Sequence, residues 1–513
     1  MPAVRRHLWL FAILALVAPA YFFWTWTGQV GQFGNDGPNY LMMALHYSPY
    51  AHTLAIYDEA AAVSRFPPLY PIMLAWAGAG ADLHRVHAVT TVFLMAALAV
   101  FYAWLSIQGA RPAQAALLLL LTAALPGSWL LGLSVQSEYL YLFWSLLALA
   151  LLSAHRRKPR TELLYAAALA VAAAALTRTI GVTLYLPLLL AARHVPRRNA
   201  VLALLVAALP MLIWHLLHRA TLGYTDALGG LYGGRPLDAI RAQLAKELPA
   251  LRNGFIGNFM RGSPLLRPAA DALGALCLAA ALWRTRRGSP EAVYIAAYLG
   301  ILLFWPYPEE AERFVWELVP LLLAQPLLLL AEADRQTLAA QRPQLATAAA
   351  AAVILALILP ALSLASDRYR NAAYSGVPDA RGLLSWYGGS DLDDAVHRVF
   401  SQVVIMDAMR RIDQEIPAGD CVAAMRPDLI NYFSRRRSAF LPINSIPDPY
   451  FQKILHAPGC RFVFTSTATD GRYPIPLHPM QRLGNGIRVL DYVDLLDPPP
   501  GTRNVVCILA EID

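Results

Sequence analysis

The sequence predicts a polytopic α-helical membrane protein with about eleven transmembrane helices and a small α/β domain at its C-terminus. Of the 513 residues, 57% are hydrophobic. They occur in runs of about 18 residues, the length that a membrane-spanning helix needs. The composition turns polar near residue 366, after which no such run occurs. We therefore expect a transmembrane domain over 1–365 and a soluble, extracytoplasmic domain over 366–513.

The first apolar segment follows Arg5 and Arg6 and has no cleavage site after a short apolar core, so we interpret it as an anchor rather than a signal peptide. An apolar piece at 69–80 is too short to cross a hydrocarbon core of about 30 Å. We place it beside the membrane or as a re-entrant segment. The predicted spans are 8–26, 86–107, 113–132, 138–153, 162–176, 180–193, 200–218, 268–283, 291–306, 313–331 and 346–365.

The basic residues of the loops support this arrangement. Six segments carry 15 Lys and Arg residues, and all six fall on one side if there are eleven crossings. By the positive-inside rule that side is cytoplasmic. The net charge of +8 then reflects topology, not nucleic-acid binding. The sequence therefore predicts a multi-pass protein of the inner membrane, with a cytoplasmic N-terminus and a periplasmic C-terminal domain.

The first outer loop, 27–68, is patterned like a functional element. The stretch Asn35-Asp36-Gly37-Pro38 has side-chain acceptors just before a proline, which is typical of a helix start. Aromatic and apolar residues then recur at helical spacing from Tyr40 to Tyr47. We predict a short amphipathic helix along the membrane surface with Asp36 at its tip.

The loop ends in the stretch 65–71, which reads RFPPLYP. Each proline fixes its own φ and disfavours a helical conformation in the residue before it, so this stretch should be extended where it returns to the membrane. We interpret the whole loop as an active-site loop on the membrane surface.

A second candidate site is the turn between the predicted spans 162–176 and 180–193. Both segments are short for a full span although both of their outer flanks are basic. The turn Thr177 to Gly181 should therefore be recessed, with Arg178 buried in protein or facing a wet cavity. An arginine at that depth is a functional candidate.

The C-terminal domain should mix helices with strands and have a loop at 471–501, which is rich in Gly and Pro. Of its cysteines Cys421, Cys460 and Cys507, one pair would be oxidised outside the cytoplasm, but spacing does not select the pair and all three free is an equal alternative. Cys277 falls in an apolar helix. The predicted elements are a helix at 395–415, a strand at 420–424, a helix at 427–433 and strands at 438–442, 460–464 and 504–510.

Charged residues collect on the predicted outer side. Acids and arginines arranged in this way suit group transfer from a phosphate leaving group, because an acid deprotonates the attacking hydroxyl and guanidinium groups stabilise the charge on phosphate. The clusters are Asp36 with Asp58, Glu59 and Arg65; Glu138; Arg178; and Glu309, Glu310 and Glu312 with Arg313.

Each candidate also has a structural interpretation. Asp36 is a good N-cap, and Glu138 is an acid in the first turn of a helix, where the helix dipole favours it. Glu309 and Glu310 fit a solvated loop, and Arg313 can snorkel from the start of a span. The histidines, His46, His52 and His215 among them, show no ligand spacing, so we assign no cofactor. A divalent metal stays open as an alternative that the ligand spacing does not support.

The order of these motifs resembles the membrane-embedded GT-C glycosyltransferases, in particular the protein O-mannosyltransferases and the lipid A aminoarabinose transferases. The resemblance covers about 330 residues of the membrane part. The matching residues, in order, are Asp36 and Tyr40 after the first span, Pro67-Pro68-Leu69-Tyr70-Pro71, Ser137-Glu138 at a helix start, Arg178 with Gly181, and Arg313-Phe314 near Pro320.

The resemblance implies a sugar donor on a polyprenyl phosphate, an inverting reaction and a catalytic first-loop aspartate. Carried over by motif, Asp36 is the general base and Glu138 a second acid near the acceptor. The donor phosphate and substrate contacts implied are Arg65, Arg178, Arg313, Tyr40 and Tyr70. Two departures stand out: Gly37 occupies a position where many relatives have an acid, and Arg65 and Phe66 replace the acid and lysine before the double proline of the aminoarabinose transferases.

The sequence thus predicts a hexosyl- or pentosyltransferase that moves a sugar from undecaprenyl phosphate to a hydroxyl of a lipid, glycan or protein on the outer face. One alternative is a flippase or transporter of lipid-linked sugars, which should show internal repeats and charges at mid-membrane. Another is a polysaccharide polymerase or ligase that uses diphosphate-linked donors. A third is a binding or scaffold protein whose soluble domain carries the function.

Overall fold

The computed structural model describes a largely helical chain with one small sheet. The described residues are 2–31, 36–50, 53–218, 236–259, 264–334, 342–371, 392–441, 459–466, 487–494 and 505–512. The α-helices are α1 (Pro2–Trp24), α2 (Gly37–His46), α3 (Ala55–Val63), α4 (Leu69–Trp76), α5 (Leu83–Gln108), α6 (Pro112–Ala124), α7 (Pro126–Gly132), α8 (Glu138–Arg157), α9 (Thr161–Thr177), α10 (Tyr185–Ala192), α11 (Arg197–Leu217), α12 (Pro236–Gly257), α13 (Arg267–Arg286), α14 (Pro290–Leu302), α15 (Ala311–Trp316), α16 (Val319–Asp334), α17 (Arg342–Asn371), α18 (Leu392–Glu415) and α19 (Pro427–Ser434).

Short 3₁₀ helices and five strands complete the described elements. The 3₁₀ helices are Thr179–Leu184, Pro264–Leu266 and Pro308–Glu310. The strands are β1 (Cys421–Ala424), β2 (Arg437–Phe440), β3 (Phe462–Ser466), β4 (Ile487–Asp494) and β5 (Val505–Ile512).

Three helices, α5, α8 and α11, are long and apolar enough to cross a membrane. The number within the described residues rises to five if the bent pair α6 and α7, and the bent pair formed by Pro308–Trp316 and α16, are each one span. These helices make the chain a membrane protein. Helices also lie at the other predicted spans, but they are shorter or less apolar, so the number of eleven crossings stays a prediction.

The first outer loop contains the predicted short helix. Helix α2 has a proline in its first turn, as the sequence indicated, and buries Tyr40, Met43 and Ala44. Helices α3 and α4 pack against it. The piece predicted to be too short to span is the eight-residue helix α4. The loop is therefore a packed layer of three short helices.

The turn after α9 is tight, and Gly181 makes it possible. Arg178 has an extended conformation at the end of α9, and the chain then continues as a 3₁₀ helix. A Cβ atom on Gly181 would lie 2.6 Å from the backbone nitrogen of Ala175, closer than such atoms can approach. Because the turn folds back onto α9, Arg178 is only 5% exposed, as the sequence predicted.

The C-terminal sheet is mixed, with strand order β2-β1-β3-β5-β4. Strand β1 pairs in parallel with β2 and β3, and β5 pairs antiparallel with β3 and β4. Helices α18 and α19 pack together on the sheet. The helices and four of the strands lie where the sequence predicted them.

The prediction that 471–501 is all loop was wrong at β4, which occupies Ile487–Asp494. The strand pairs along its length with β5, with two irregularities in register. Its short apolar alternation is flanked by Gly- and Pro-rich sequence, which hid the signal. Pairing with the buried strand β5 determines the conformation here more than local sequence does.

The structure selects one disulfide among the alternatives left open, Cys421 to Cys460. Cys277 and Cys507 are buried and lie outside any disulfide of the described residues. Disulfides persist in oxidising compartments, so this bond agrees with a domain outside the cytoplasm.

The C-terminal domain packs on the first outer loop. The amide of Gln402 in α18 donates to the carbonyl oxygen of Gly31 at 2.6 Å, and the hydroxyl of Tyr432 in α19 donates to the carbonyl oxygen of Gly80 at 3.2 Å. Helix α19 also contacts α2. The C-terminal domain therefore packs against the loop that carries Asp36.

The topology can be tested with reporter fusions. Because basic loops stay on the cytoplasmic side, we expect a reporter fused after Ser366 to be extracytoplasmic and reporters fused at Arg157 or Arg286 to be cytoplasmic. Alkaline phosphatase and green fluorescent protein activities report the two sides. A cytoplasmic signal after Ser366 would contradict the predicted number of crossings.

Candidate active site

Asp36 lies at the start of α2, but its side chain does not cap the helix. No side-chain hydrogen bond from Asp36 reaches the first turn. Instead its Oδ2 accepts a hydrogen bond from Nη2 of Arg313 at 3.0 Å. The aspartate is therefore directed into a cluster with α15, and the interpretation of Asp36 as a simple N-cap finds no support in its side-chain geometry.

Glu138 joins two arginines at the start of α8. Its Oε1 lies 2.5 Å from Nε of Arg313 and 2.5 Å from Nη1 of Arg178. The side chain is 1% exposed. A buried carboxylate is stable only if it is paired, and here one carboxylate holds two guanidinium groups side by side.

Arg178 is fixed from a second direction by Glu317. Nε of Arg178 lies 3.0 Å from Oε1 of Glu317, and the ring of Phe314 lies 4.8 Å from the guanidinium carbon. Its Nη1 also donates to Ser137 Oγ at 3.4 Å. Two of the three guanidinium nitrogens of Arg178 therefore face carboxylates, Nη1 at Glu138 and Nε at Glu317.

Arg313 has a similar arrangement. It contacts Asp36 through Nη2 and Glu138 through Nε. The ring of Phe314 lies 5.4 Å from its guanidinium carbon. The interpretation of Arg313 as a snorkelling residue is not needed, because both of its engaged nitrogens point into the cluster.

Aromatic residues form one wall of the cluster. The Tyr40 hydroxyl is 3.2 Å from Ser137 Oγ, and the Tyr40 ring packs against Phe66 and Tyr70. The Tyr70 hydroxyl is paired with Thr90 at 3.1 Å. Tyr40 thus reaches the cluster directly, whereas Tyr70 supports Tyr40.

Arg65 contributes charge from the end of the loop. Its guanidinium lies over the ring of Phe66, 5.2 Å from the ring centroid, and its charge acts on Asp36. Burial alone would raise the pKa of Asp36, but the charge and hydrogen bond of Arg313, with a contribution from Arg65, hold that pKa below its ordinary value of 3.8. Asp36 is therefore ionised at neutral pH.

Glu317 and Tyr298 are members of the cluster that the sequence analysis missed. Glu317 lies between α15 and α16 and is 1% exposed, and the Tyr298 hydroxyl donates a hydrogen bond to its Oε2. The signal that could have identified Glu317 is an acid within the predicted span 313–331, since intramembrane acids are rare. Tyr298 has no such signal in the sequence.

The other acids predicted on the outer side lie elsewhere. Asp58 pairs with His46 at 2.6 Å, and Glu312 lies against Gly257 of α12. Burial and the neighbouring charge of Glu309 raise the pKa of Glu247 to about 7. Asp58 is thus paired away from the cluster around Glu138, whereas the charge of Glu310 acts on Arg313.

An apolar cavity of ≈ 550 Å³ lies among helices α12 to α16. Its wall includes Phe255, Ile295 and Val315, and the last of these follows Phe314 in α15. Along α13 the lining runs from Ala270 to Thr285, a distance of about 22 Å at 1.5 Å per residue. The cavity is long and apolar enough to hold part of a lipid chain.

The carboxylates of the cluster do not fit a divalent cation. Asp36 and Glu138 are both ion-paired with Arg313, so a metal would have to displace a guanidinium group from each. No group of three or more His, Cys, Asp or Glu side chains in the described part of the chain is placed to bind a metal ion.

Comparison with known proteins gives structural matches only. No family model and no curated protein matches the chain. The oligosaccharyltransferase of Archaeoglobus fulgidus, solved with Zn and sulfate, is similar with a TM-score of 0.52 and 14% identity over 96% of this chain and 73% of that chain.

Two further solved structures are similar at lower scores. ArnT from Cupriavidus metallidurans, solved with undecaprenyl phosphate, has a TM-score of 0.49 and 13% identity over 98% of each chain. The mycobacterial arabinofuranosyltransferase AftD has a TM-score of 0.43 and 13% identity over 97% of this chain and 41% of that chain. Scores below 0.5 are too low to carry an argument. The match to the oligosaccharyltransferase extends over nearly the whole chain, and this protein therefore has the GT-C fold of the membrane-embedded glycosyltransferases.

Proposed function

We propose that this protein is a membrane glycosyltransferase that moves a sugar from a polyprenyl phosphate, with undecaprenyl phosphate as the carrier, to a hydroxyl acceptor on the outer face. The observation that carries the proposal is the cluster in which Asp36 and two guanidinium groups meet around Glu138. A carboxylate and paired arginines are what inverting transfer from a phosphate requires.

The donor phosphate binds to the two guanidinium groups, through Nη2 of Arg178 and Nη1 of Arg313. Both arginines contact Glu138 and the ring of Phe314, which keeps them close enough to hold one phosphate between them. Charge-assisted bonds from guanidinium to phosphate are strong and directional. Arg65 adds a third positive charge at the loop side of the cluster.

Asp36 acts as the general base. The oxygen of the acceptor hydroxyl attacks the anomeric carbon from the face opposite the phosphate, and the bond between that carbon and the phosphate oxygen breaks with its electron pair left on phosphate. Asp36 takes the hydroxyl proton, and the products are an inverted glycoside and free polyprenyl phosphate. A phosphate bound to Arg313 competes with the Asp36 carboxylate for that guanidinium, which raises the basicity of Asp36 at the moment it is needed.

The isoprenoid chain of the donor occupies the apolar cavity. The wall of the cavity lies one residue from Phe314, so a lipid there places its phosphate end toward the cluster. Burial of apolar chain contributes about 0.8 kcal/mol per CH₂ group. The acceptor reaches Asp36 from the outer side, where Tyr40 and the C-terminal domain border the site.

The lipids that copurify with the protein test this function. We expect mass spectrometry of the extracted lipids to find polyprenyl phosphate or its monosaccharide derivative, because the cluster selects a phosphate and the cavity an apolar chain. The Arg178→Lys variant is the control, and less polyprenyl phosphate should copurify with it than with the wild type. Recovery of only diphosphate-linked lipids would favour a polymerase or ligase, and recovery of no polyprenyl lipid would contradict the proposal.

A further inference from the structure

Glu317 connects the cluster to the interior of the helical bundle. Its two carboxylate oxygens have different partners: Oε1 faces Nε of Arg178 at 3.0 Å, and Oε2 accepts a hydrogen bond from Tyr298. Both Glu317 and Tyr298 are buried, with exposed fractions of 1% and 0%. The Tyr298 hydroxyl also lies 3.2 Å from the carbonyl oxygen of Phe314, which anchors Tyr298 to α15.

These contacts determine how the guanidinium of Arg178 is oriented. An arginine side chain has several rotatable bonds, and ordering such a side chain costs conformational entropy. Glu138 contacts Nη1 and Glu317 contacts Nε. Together with the attachment of the group at Cδ, these two contacts restrict the rotation of the guanidinium plane. The position of the third nitrogen, Nη2, follows from these two contacts.

We propose that Glu317 and Tyr298 are positioning residues that orient Arg178 so that Nη2 meets the phosphate of a polyprenyl phosphate. The inference rests on the proposed function and adds two residues to it. Neither residue touches the donor itself. Tyr298 fixes Glu317, and Glu317 fixes Arg178, so the effect passes through two contacts to the phosphate.

The chain offers a matched control on the same helix. Tyr294 lies one turn before Tyr298 in α14 and is equally buried. Its hydroxyl forms a hydrogen bond with the hydroxyl of Tyr141, at an oxygen–oxygen distance of 2.9 Å. Tyr294→Phe and Tyr298→Phe each remove one buried hydroxyl that takes part in a hydrogen bond. They should therefore destabilise the protein to a similar extent, while only Tyr298→Phe releases Glu317.

The experiment measures the binding of undecaprenyl phosphate and of undecaprenol to the purified full-length protein in detergent. The ratio of the two affinities reports the contribution of the phosphate contact to binding. A general structural defect would weaken the binding of both lipids to the same extent and would leave the ratio unchanged. We expect Tyr298→Phe to reduce this ratio by about tenfold, the effect of weakening one charge-assisted hydrogen bond. Tyr294→Phe should leave the ratio at the wild-type value, with similar melting temperatures for both variants.

Glu317→Asp separates position from charge. Aspartate keeps the negative charge near Arg178, but its side chain is one methylene shorter and does not reach both Nε of Arg178 and the Tyr298 hydroxyl. A positioning role predicts a reduced affinity ratio for Glu317→Asp, as for Tyr298→Phe. A role through charge alone predicts the wild-type ratio.

The outcomes distinguish this inference from the proposed function. Wild-type protein that prefers undecaprenyl phosphate, together with unchanged ratios in Tyr298→Phe and Glu317→Asp, would overturn the positioning role and leave the proposed function intact. Equal reductions in Tyr294→Phe and Tyr298→Phe would also overturn it, since they indicate a structural effect. Wild-type protein with no preference for the phosphate over the alcohol would overturn the proposed function and this inference together.

Discussion

Asp36→Asn is expected to abolish sugar transfer almost completely while leaving the protein folded. Loss of a general base lowers a reaction rate by about 10² to 10⁴, and an amide cannot accept the proton of the acceptor hydroxyl. Asparagine still accepts a hydrogen bond from Nη2 of Arg313, which in the structure donates to Asp36 Oδ2 at 3.0 Å. We therefore expect a melting temperature within a few degrees of the wild type.

The charge of Asp36 makes this comparison direct. Its pKa is lowered below 3.8 by Arg313 and Arg65 in spite of its burial, so the folded protein carries the carboxylate at any pH near neutral. A group with a lowered pKa stabilises the fold above its unfolded pKa and loses that contribution only as the pH falls through the folded value. At neutral pH Asp36 is fully ionised, so the substitution replaces a charged base by a neutral amide. The difference in transfer activity then reports the loss of the base and not a partial change in the protonation of Asp36.

Asp58→Asn is the matched control. Asp58 lies in α3 of the same outer loop and pairs with His46 and Thr53, away from the cluster. Transfer of a radiolabelled sugar from undecaprenyl phosphate to membrane acceptors measures activity for both variants. Near-normal transfer by a well-folded Asp36→Asn protein would contradict the catalytic assignment, and equal losses in both variants would point to the loop as a whole.

Arg178→Lys should strongly impair use of the donor. Lysine keeps the positive charge, but it lacks the planar fork that lets Arg178 contact Glu138, Glu317 and a phosphate together. We expect the donor KM to rise by about tenfold to a hundredfold, the effect of losing one charge-assisted hydrogen bond. Arg178→Ala should be worse and should also destabilise the fold, since leaving buried carboxylates without a partner costs about 3–5 kcal/mol.

Arg284→Lys controls for the loss of a buried arginine. Arg284 is also almost fully buried and holds two carboxylates, Glu291 at 2.6 Å and Glu332 at 3.2 Å, but its partners lie outside the cluster. The thermal stability of the Arg284→Lys variant should fall about as much as that of the Arg178→Lys variant, and its donor KM should stay at the wild-type value. If Arg178→Lys and Arg284→Lys change the KM alike, or if Arg178→Ala folds and binds donor normally, Arg178 is structural.

The sequence predicted much of the fold because the relevant signals are local. Runs of apolar residues mark the membrane helices, and the proline after Asp36 marks the start of α2. Arg178 stood out because a charged side chain between two short apolar segments is rare. Each of these inferences needs only the residues near the position in question.

Contacts between segments that are distant along the chain could not be predicted from the sequence. The ion pair between Asp36 and Arg313 joins residues 277 positions apart, and the disulfide was selected by the parallel pairing of β1 with β3. Strand β4 was missed for the same reason, because its partner β5 lies in another segment. Spacing along the chain contains no information about which segments meet in space.

The amino-acid sequence by itself predicted a membrane protein, the loop that carries Asp36 and most of the charged residues of the cluster. Only the tertiary structure decided how those charges combine: Glu138 between two guanidinium groups, Glu317 behind Arg178, and Arg313 on Asp36. The physical reason is that a buried charge is tolerated only beside a partner. Such partners come from whichever helices the packing brings together.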